Sequence, residues 1–140
     1  MKYLKIDLDI TPAPKGRPRT TKRGHTYTPK KTRNWEAQAK LLILSVLGSS
    51  KPFDCPVRVT VVFVCPRPKK AHYGVTSARY RKHTRPDVDN YLKSLLDAAS
   101  LAEVWTDDSR VTEVIASKVY AAEGERPHIE LEVEELNRQD

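Results

Sequence analysis

Cysteine is nearly absent from this 140-residue chain, which has only Cys55 and Cys65. They bracket the run "PVRVTVVFV". An extended strand over that run would hold its ends roughly 33 Å apart, far beyond disulfide reach. There is no C-x-x-C pair, and His25, His72, His83 and His128 are scattered, so neither a zinc site nor a thiol–imidazole pair has a local signature. Long apolar runs are missing too, since nothing approaches the roughly 18 to 20 residues of a membrane span. The opening "MKYLKIDLDI" carries Asp7 and Asp9 where a secretion signal would be continuously apolar. The expectation is a cytosolic protein forming a single domain over residues 1–140, large enough to need no staples for its core.

Acids are the next absence, and it is local. The net charge is +7, yet from Thr11 to Arg33 there are eight cations and no acid, and from Pro66 to Arg85 seven more cations and again no acid. The remaining chain holds 10 cations against all 18 acids. Both basic segments, about residues 11–33 and 66–86, are punctuated by proline and glycine and read as loops. Loops of that length are uncommon in a compact domain unless they are functional or disordered. A solvated charge run is the plainer reading of either one alone. Here Tyr27, Tyr73 and Tyr80 are interleaved with the cations and can stack on bases or sugars, while neighbouring Ser and Thr hydroxyls suit phosphate oxygens. The residues expected to contact nucleic acid are Lys15, Arg17, Arg19, Lys22 and Arg23 in the first loop. In the second they are Lys69, Lys70, Arg79, Arg81, Lys82 and Arg85. A membrane surface fits less well, because neither loop adjoins an apolar helix face or lipid anchor.

"KYLKIDLDI" alternates Leu4, Ile6, Leu8 and Ile10 against Lys5, Asp7 and Asp9, the period of a half-buried strand. "TRNWEAQAKLLILSVLG" predicts a helix capped by Thr32 and ended by Gly48, with Trp35, Ala39, Leu42 and Val46 as its apolar stripe. "PVRVTVVFVC" predicts a central strand. A second helix covers "NYLKSLLDAASLA", with Val88, Leu92, Leu95, Leu96 and Ala99 inward. "RVTEVIASKVY" and "PHIELEVEEL" read as strands of a hairpin turning at Gly124. The order β-α-β-α-β-β indicates an α+β domain, a mixed sheet with two main helices.

Against this basic background, "RPDVDNYLKSLLDAASLAEVWTDDSRV" concentrates Asp87, Asp89, Asp107 and Asp108. Pro86 sets the approach to a helix, with Asp87 in the turn before it and Asp89 at the cap or in the first turn. In an extended approach the i, i+2 spacing points both carboxylates to one side, as a shared cation requires. Asp89, Lys93 and Asp97 then follow on one helix face. Plainer roles exist: Asp87 and Asp89 as caps, "TDDS" as an ordinary turn, Lys93 as a surface ion pair with Asp89 or Asp97. Together these roles weaken if the chain after the helix returns to its start, because a hard divalent cation would then hold the converging oxygens and accept a phosphate.

In these residues the chain resembles the RusA-type Holliday-junction resolvases, or crossover junction endodeoxyribonucleases. "RPDVDNYLKSLLDA" is similar to the family's basic-Asp-x-Asp-Asn segment with a lysine four residues after the second Asp. "VWTDDSRV" is similar to its aromatic-x-Asp-Asp segment leading into a strand, and "PAPKGRPR" to its Pro-rich basic N-terminal segment. The resemblance implies a RusA-like fold, with Asp87, Asp89 and Asp108 as catalytic metal-binding carboxylates and Lys93 as the essential lysine. It implies Asp107 as a neighbouring metal-site acid, with Glu113 at most in the outer shell. It further implies Mg²⁺, with Mn²⁺ able to substitute, and a homodimer acting on branched DNA, above all four-way junctions, in recombination and repair. The insertion "KKAHYGVTSARYRKHT" departs from compact members. On this reading the carboxylates hold one or two ions for phosphodiester hydrolysis, while Lys93 neutralises developing charge or orients the water. A non-catalytic DNA-binding module and a nuclease for flaps or other branched DNA are the rivals.

Overall fold

The β-branched run that suggested a central strand forms β4 (Val57–Cys65) in the computed structural model, which describes residues 1–139. It follows β1 (Tyr3–Leu8), a two-residue pair β2 (Arg19–Thr20) and β3 (Thr26–Tyr27), and helix α1 (Lys30–Leu47). After β4 come β5 (Tyr80–Arg81), helix α2 (Val88–Leu101), a 3₁₀ turn at Asp108–Arg110, β6 (Val111–Tyr120) and β7 (His128–Glu135). The main sheet runs β1-β7-β4-β6-β5. β4 is parallel to β6, and every other neighbouring pair is antiparallel. This is the mixed sheet with two main helices that the sequence predicts, with three short strands added.

Strand alternation sorts the residues onto two faces. Val57, Val59, Val61 and Phe63 of β4 join Ile6, Leu8, Ile129, Leu131 and Val133 of its neighbours in one buried cluster, with Ala39, Ile43 and Leu47 of α1 and Tyr91, Leu95, Ala98 and Ala99 of α2. Both helices therefore cover one face of the sheet, a two-layer arrangement. The opposite face presents Lys5, Asp7, Arg58, Thr60, Glu113, Glu130, Glu132 and Glu134, and ion pairs such as Arg58–Glu113 at 2.7 Å lie on it. Cys55 and Cys65 are both free thiols, as their spacing requires.

Three expectations need correction. The last two long strands form no hairpin: β4 lies between β6 and β7 and bonds to both. Their connection is long enough to step across one strand, and its Ala121 N–H donates to the Cys65 carbonyl at 2.8 Å. Helix α1 begins at Lys30 behind Pro29, not at a Thr32 cap. Thr32 is buried inside the helix, and its Oγ1 accepts from the Gly16 N–H at 3.0 Å. The buried stripe is accordingly Thr32, Glu36, Ala39, Ile43 and Leu47, while Val46 is 50% exposed and Trp35 and Leu42 pack only at the margin. Sequence patterning missed this phase because it could not place a carboxylate inward; Lys15, from the preceding loop, pairs with Glu36 and makes that burial tolerable. Finally, residues 11–33 are not wholly loop, for they contain β2, β3 and the first turn of α1, and the second basic segment contains β5.

Candidate active site and nucleic-acid surface

Asp87 occupies the N-cap position of α2, with extended backbone (φ −68°, ψ 150°), yet its carboxylate caps no backbone N–H. Its carbonyl does the local work instead, accepting from the Asn90 N–H at 3.1 Å. Asp89 lies in the first turn, and Asp87, Asp89 and Lys93 are all exposed. Among the described residues none of these three side chains has a hydrogen bond or an ion pair. The anticipated surface pair of Lys93 with Asp97 does not form, because Asp97 is taken by Lys15 at 2.9 Å.

The peptide leading into Asp87 is held from the sheet. Lys118, on the helix-facing side of β6, donates from Nζ to the carbonyl oxygens of Thr84 and Pro86, each at 2.6 Å. The Thr84 hydroxyl in turn meets the Tyr120 hydroxyl at 2.7 Å and accepts from Lys82 Nζ at 2.6 Å. The Arg85–Pro86 peptide is cis. Sequence reading passed over Lys118, Thr84 and Tyr120. The available signal was a lysine at an inward position of the alternating run "VTEVIASKVY", where a charge demands a partner.

At the other end of α2 the chain is fixed by burial. Trp105 and Phe53 are the two largest fully buried side chains and form a parallel bridge, with Phe53 N–H donating to the Val104 carbonyl at 2.8 Å. Asp54 then accepts from the Thr106 hydroxyl at 2.7 Å and from Arg110 Nε at 3.0 Å. The Asp107 carboxylate turns inward on its own loop, accepting from the Ser109 N–H at 2.9 Å. Hydrogen bonds from the Ser109 hydroxyl and N–H hold its pKa below the ordinary carboxylate value. Asp108 begins the 3₁₀ turn beside it, exposed. Lys15, Glu36, Asp97, Asp107 and Asp108 line one cleft of about 470 Å³ at this end.

The two pairs of acids therefore do not converge within one chain. Fourteen residues of helix at 1.5 Å per residue separate Asp87 from the turn that leads to Asp108, about 21 Å. Among the described residues no three of His, Cys, Asp and Glu come close enough together to hold a metal ion. Glu113 is committed to Arg58 on the uncovered face of the sheet.

The cations divide in the same way. Lys15 is turned inward between Glu36 and Asp97. Burial alone would lower its pKa, but the two carboxylates more than offset that, and the net displacement is upward. Arg79 is clamped by Glu125 at 2.6 Å and Glu130 at 2.7 Å. These two, expected as nucleic-acid contacts, are structural ion pairs. Arg17, Arg19, Lys22 and Arg23 lie on and around the β2–β3 hairpin, and Lys69, Lys70, Arg81, Lys82 and Arg85 on the second segment, without ion pairs among the described residues. Arg67 staples that second segment, donating to the Thr76, Ala78 and Ala121 carbonyls at 2.8, 3.0 and 3.1 Å. His72 stacks on Tyr120 with ring centroids 5.6 Å apart and bonds the Tyr80 hydroxyl at 2.9 Å. The long loop is thus anchored, and between β5, β6 and Val88 it encloses a groove of about 620 Å³ rimmed by Arg81, Lys82 and Lys118.

Comparisons with known proteins agree with the family resemblance read in the sequence. The uncharacterized protein YqaN of Bacillus subtilis (strain 168) is 30% identical over 146 residues, covering 98% of this chain and 99% of its own. A crossover junction endodeoxyribonuclease, rusA, of Lactococcus phage r1t is 28% identical over 115 residues, covering 79% of this chain and 77% of its own. A family model described as Endodeoxyribonuclease RusA matches residues 9–134, and the chain belongs to that family.

Proposed function

We propose that this protein is a Mg²⁺-dependent endonuclease that resolves four-way DNA junctions by paired phosphodiester hydrolysis, acting as a two-fold homodimer. The observation that carries the reading is the pair Asp87 and Asp89, two exposed carboxylates on the same helix terminus without a hydrogen bond or ion pair among the described residues, bordered by Arg81, Lys82 and Arg85, cations that likewise have no ion pair there. A capping role would give Asp87 a backbone N–H, and it has none. The relative from phage r1t bears the name of a crossover junction endonuclease, which favours the junction as substrate.

The donor set suits a hard cation, since Mg²⁺ uses one or two carboxylates and completes its shell with waters and substrate phosphate oxygens. Asp87 and Asp89 would hold it from one chain, with Asp108 supplied by a second copy, because one chain keeps these groups at opposite ends of α2. The chemistry such an ion would supply is polarisation of the scissile phosphate and a lowered pKa for an attacking water. Lys93, one turn beyond Asp89 on the same face, neutralises charge developing on the phosphate or orients the water. Lys118 fixes the peptide before Asp87, and the hairpin and second-loop cations hold the flanking phosphates. A two-fold dimer presents two equivalent sites, matching the two opposed strands of a junction.

The test is cleavage of a labelled synthetic four-way junction, a flap and a linear duplex by wild-type and Asp89→Asn protein, with Mg²⁺, with Mn²⁺ and with chelator. Paired, metal-dependent nicks in the junction from wild type alone are expected. Preferential cutting of the flap moves the substrate to other branched DNA, and tight junction binding without any cut makes the chain a binding module.

A further inference from the structure

We infer that Tyr73, at the tip of the long basic loop, is a stacking residue for an unpaired base at the branch point of DNA, and that through it this protein tells branched DNA from continuous duplex. This rests on the proposed junction substrate and names the side chain that senses it.

Of the three tyrosines among the basic loops, Tyr80 is spent inside the protein. Its hydroxyl bonds His72, its ring centroid lies 4.8 Å from that of Tyr120, and the Arg67 guanidinium sits over it at 5.3 Å. Tyr27 is half covered on its short hairpin. Tyr73 is 106% exposed, the most open of the large apolar side chains described, and among the described residues it makes no hydrogen bond or ring contact.

A lone exposed aromatic is ordinary on a protein surface. The setting of this one is not. His72, directly before it, is locked by its bond to Tyr80 and by ring contacts with Tyr120 and with His83, the latter at 4.9 Å. On the other side the Thr76 carbonyl accepts from Arg67, and the Ser77 carbonyl accepts from the Glu123 N–H at 2.9 Å. Only Tyr73, Gly74 and Val75 lie between these anchors, and Gly74 turns the chain there with φ +83°. A ring on so short a span between fixed points has little freedom left to lose on binding, so a single contact can count.

Charge and position indicate the ligand. Lys69 and Lys70 precede the tip, exposed and without ion pairs among the described residues, and draw a polyanion to the same loop. The anchor also ties the tip to the carboxylate end of α2: His83 touches His72, and at most about 14 Å of fully extended chain separates His83 from Asp87. The tip thus stands beside the DNA that reaches Asp87. In continuous duplex every base face is already stacked, and exposing one costs least where pairing is interrupted. An aromatic ring takes any base by its face, without reading sequence. Tyr73 therefore responds to a break in stacking, the property that marks a branch point.

The test compares a four-way junction with a matched linear duplex, both with chelator so that nothing is cut. Tyr73→Ala should weaken junction binding by about tenfold and leave duplex binding unchanged, and Tyr73→Phe should bind as wild type does. Iodouracil at the branch point should cross-link to Tyr73 on irradiation, and the same base within an arm should not. Equal loss on both DNAs, no loss on either, or a Phe variant as weak as the Ala variant overturns the proposal, as does wild type that binds both DNAs alike. If Tyr73→Ala loses the junction selectively while wild type never nicks it with Mg²⁺, the nuclease reading falls and the stacking residue stands. If wild type nicks junctions while Tyr73→Ala binds and nicks them equally well, the reverse holds.

Discussion

Lys118 Nζ and the Pro86 carbonyl oxygen are 2.6 Å apart, so a sheet side chain grips the peptide immediately before Asp87. Sub-ångström placement of a reacting group is worth large factors in rate. Lys118→Met should lower the turnover of junction cleavage by about 10²-fold through this displacement alone, with KM and the far-UV spectrum little changed. A matching rise in KM instead would make Lys118 a DNA contact.

Acids at the two ends of α2 allow a test by mixing. Asp89→Asn and Asp108→Asn proteins should each be inactive alone. If each site draws on both copies, the heterodimer formed by co-refolding them contains one site with Asp87, Asp89 and Asp108 intact, and a single-strand nicking activity returns. Sites built within one chain would leave the mixture dead.

Glu36 is a carboxylate facing the core and paired with Lys15. Removing only the cation strands a nearly buried charge, which is costlier than removing both groups. Lys15→Met should cost about 2 to 3 kcal/mol in denaturant unfolding, less than for a fully buried pair because Lys15 retains some exposure. The double variant Lys15→Met, Glu36→Gln should recover most of that loss.

Acid sensitivity should trace to Glu125. The hydrogen bond from Arg79 pulls its pKa from 4.5 down to about 2, against the opposing effect of burial. A carboxylate whose folded pKa is depressed contributes stability above its unfolded value and loses it as pH falls through the folded one. The melting temperature should therefore decline between about pH 4.5 and 2, and Glu125→Gln should flatten that slope. An unaltered profile in the variant would assign the acid limb to another group.

The parts of this fold legible in sequence are those in which a residue's neighbours along the chain are also its neighbours in space. Alternation in β1 and β4 and the spacing of Leu95 and Ala99 in α2 reported burial directly. Phase failed in α1, where Glu36 points inward because Lys15 comes from another segment to meet it. The β6–β7 hairpin failed for a related reason: two adjacent strands with a glycine turn satisfy every local rule, while β4's demand for partners on both sides is invisible locally. Of the candidate site, the acidic residue types and their i, i+2 spacing were legible, and Asp87 and Asp89 do lie together. Their separation from Asp108 was not, since it depends on how the chain leaves α2 under Trp105.

The register of β1 with β7 ties Tyr3 to Glu134 and Leu8 to Ile129. Among the described residues β1 is hydrogen-bonded to β7, made much later, and to no other strand. A ribosome adding about 5 to 20 residues per second leaves β1 without its partner for roughly 6 to 24 seconds. During that interval the apolar side of β1, Ile6 and Leu8, has only the helix layer to lean on, and α1 is the element that touches it. Closure of the sheet thus waits for β7, and a chain not yet extended that far lacks the strand that separates β1 from β4. Loss of residues from the C-terminal end should be felt first at the N-terminus.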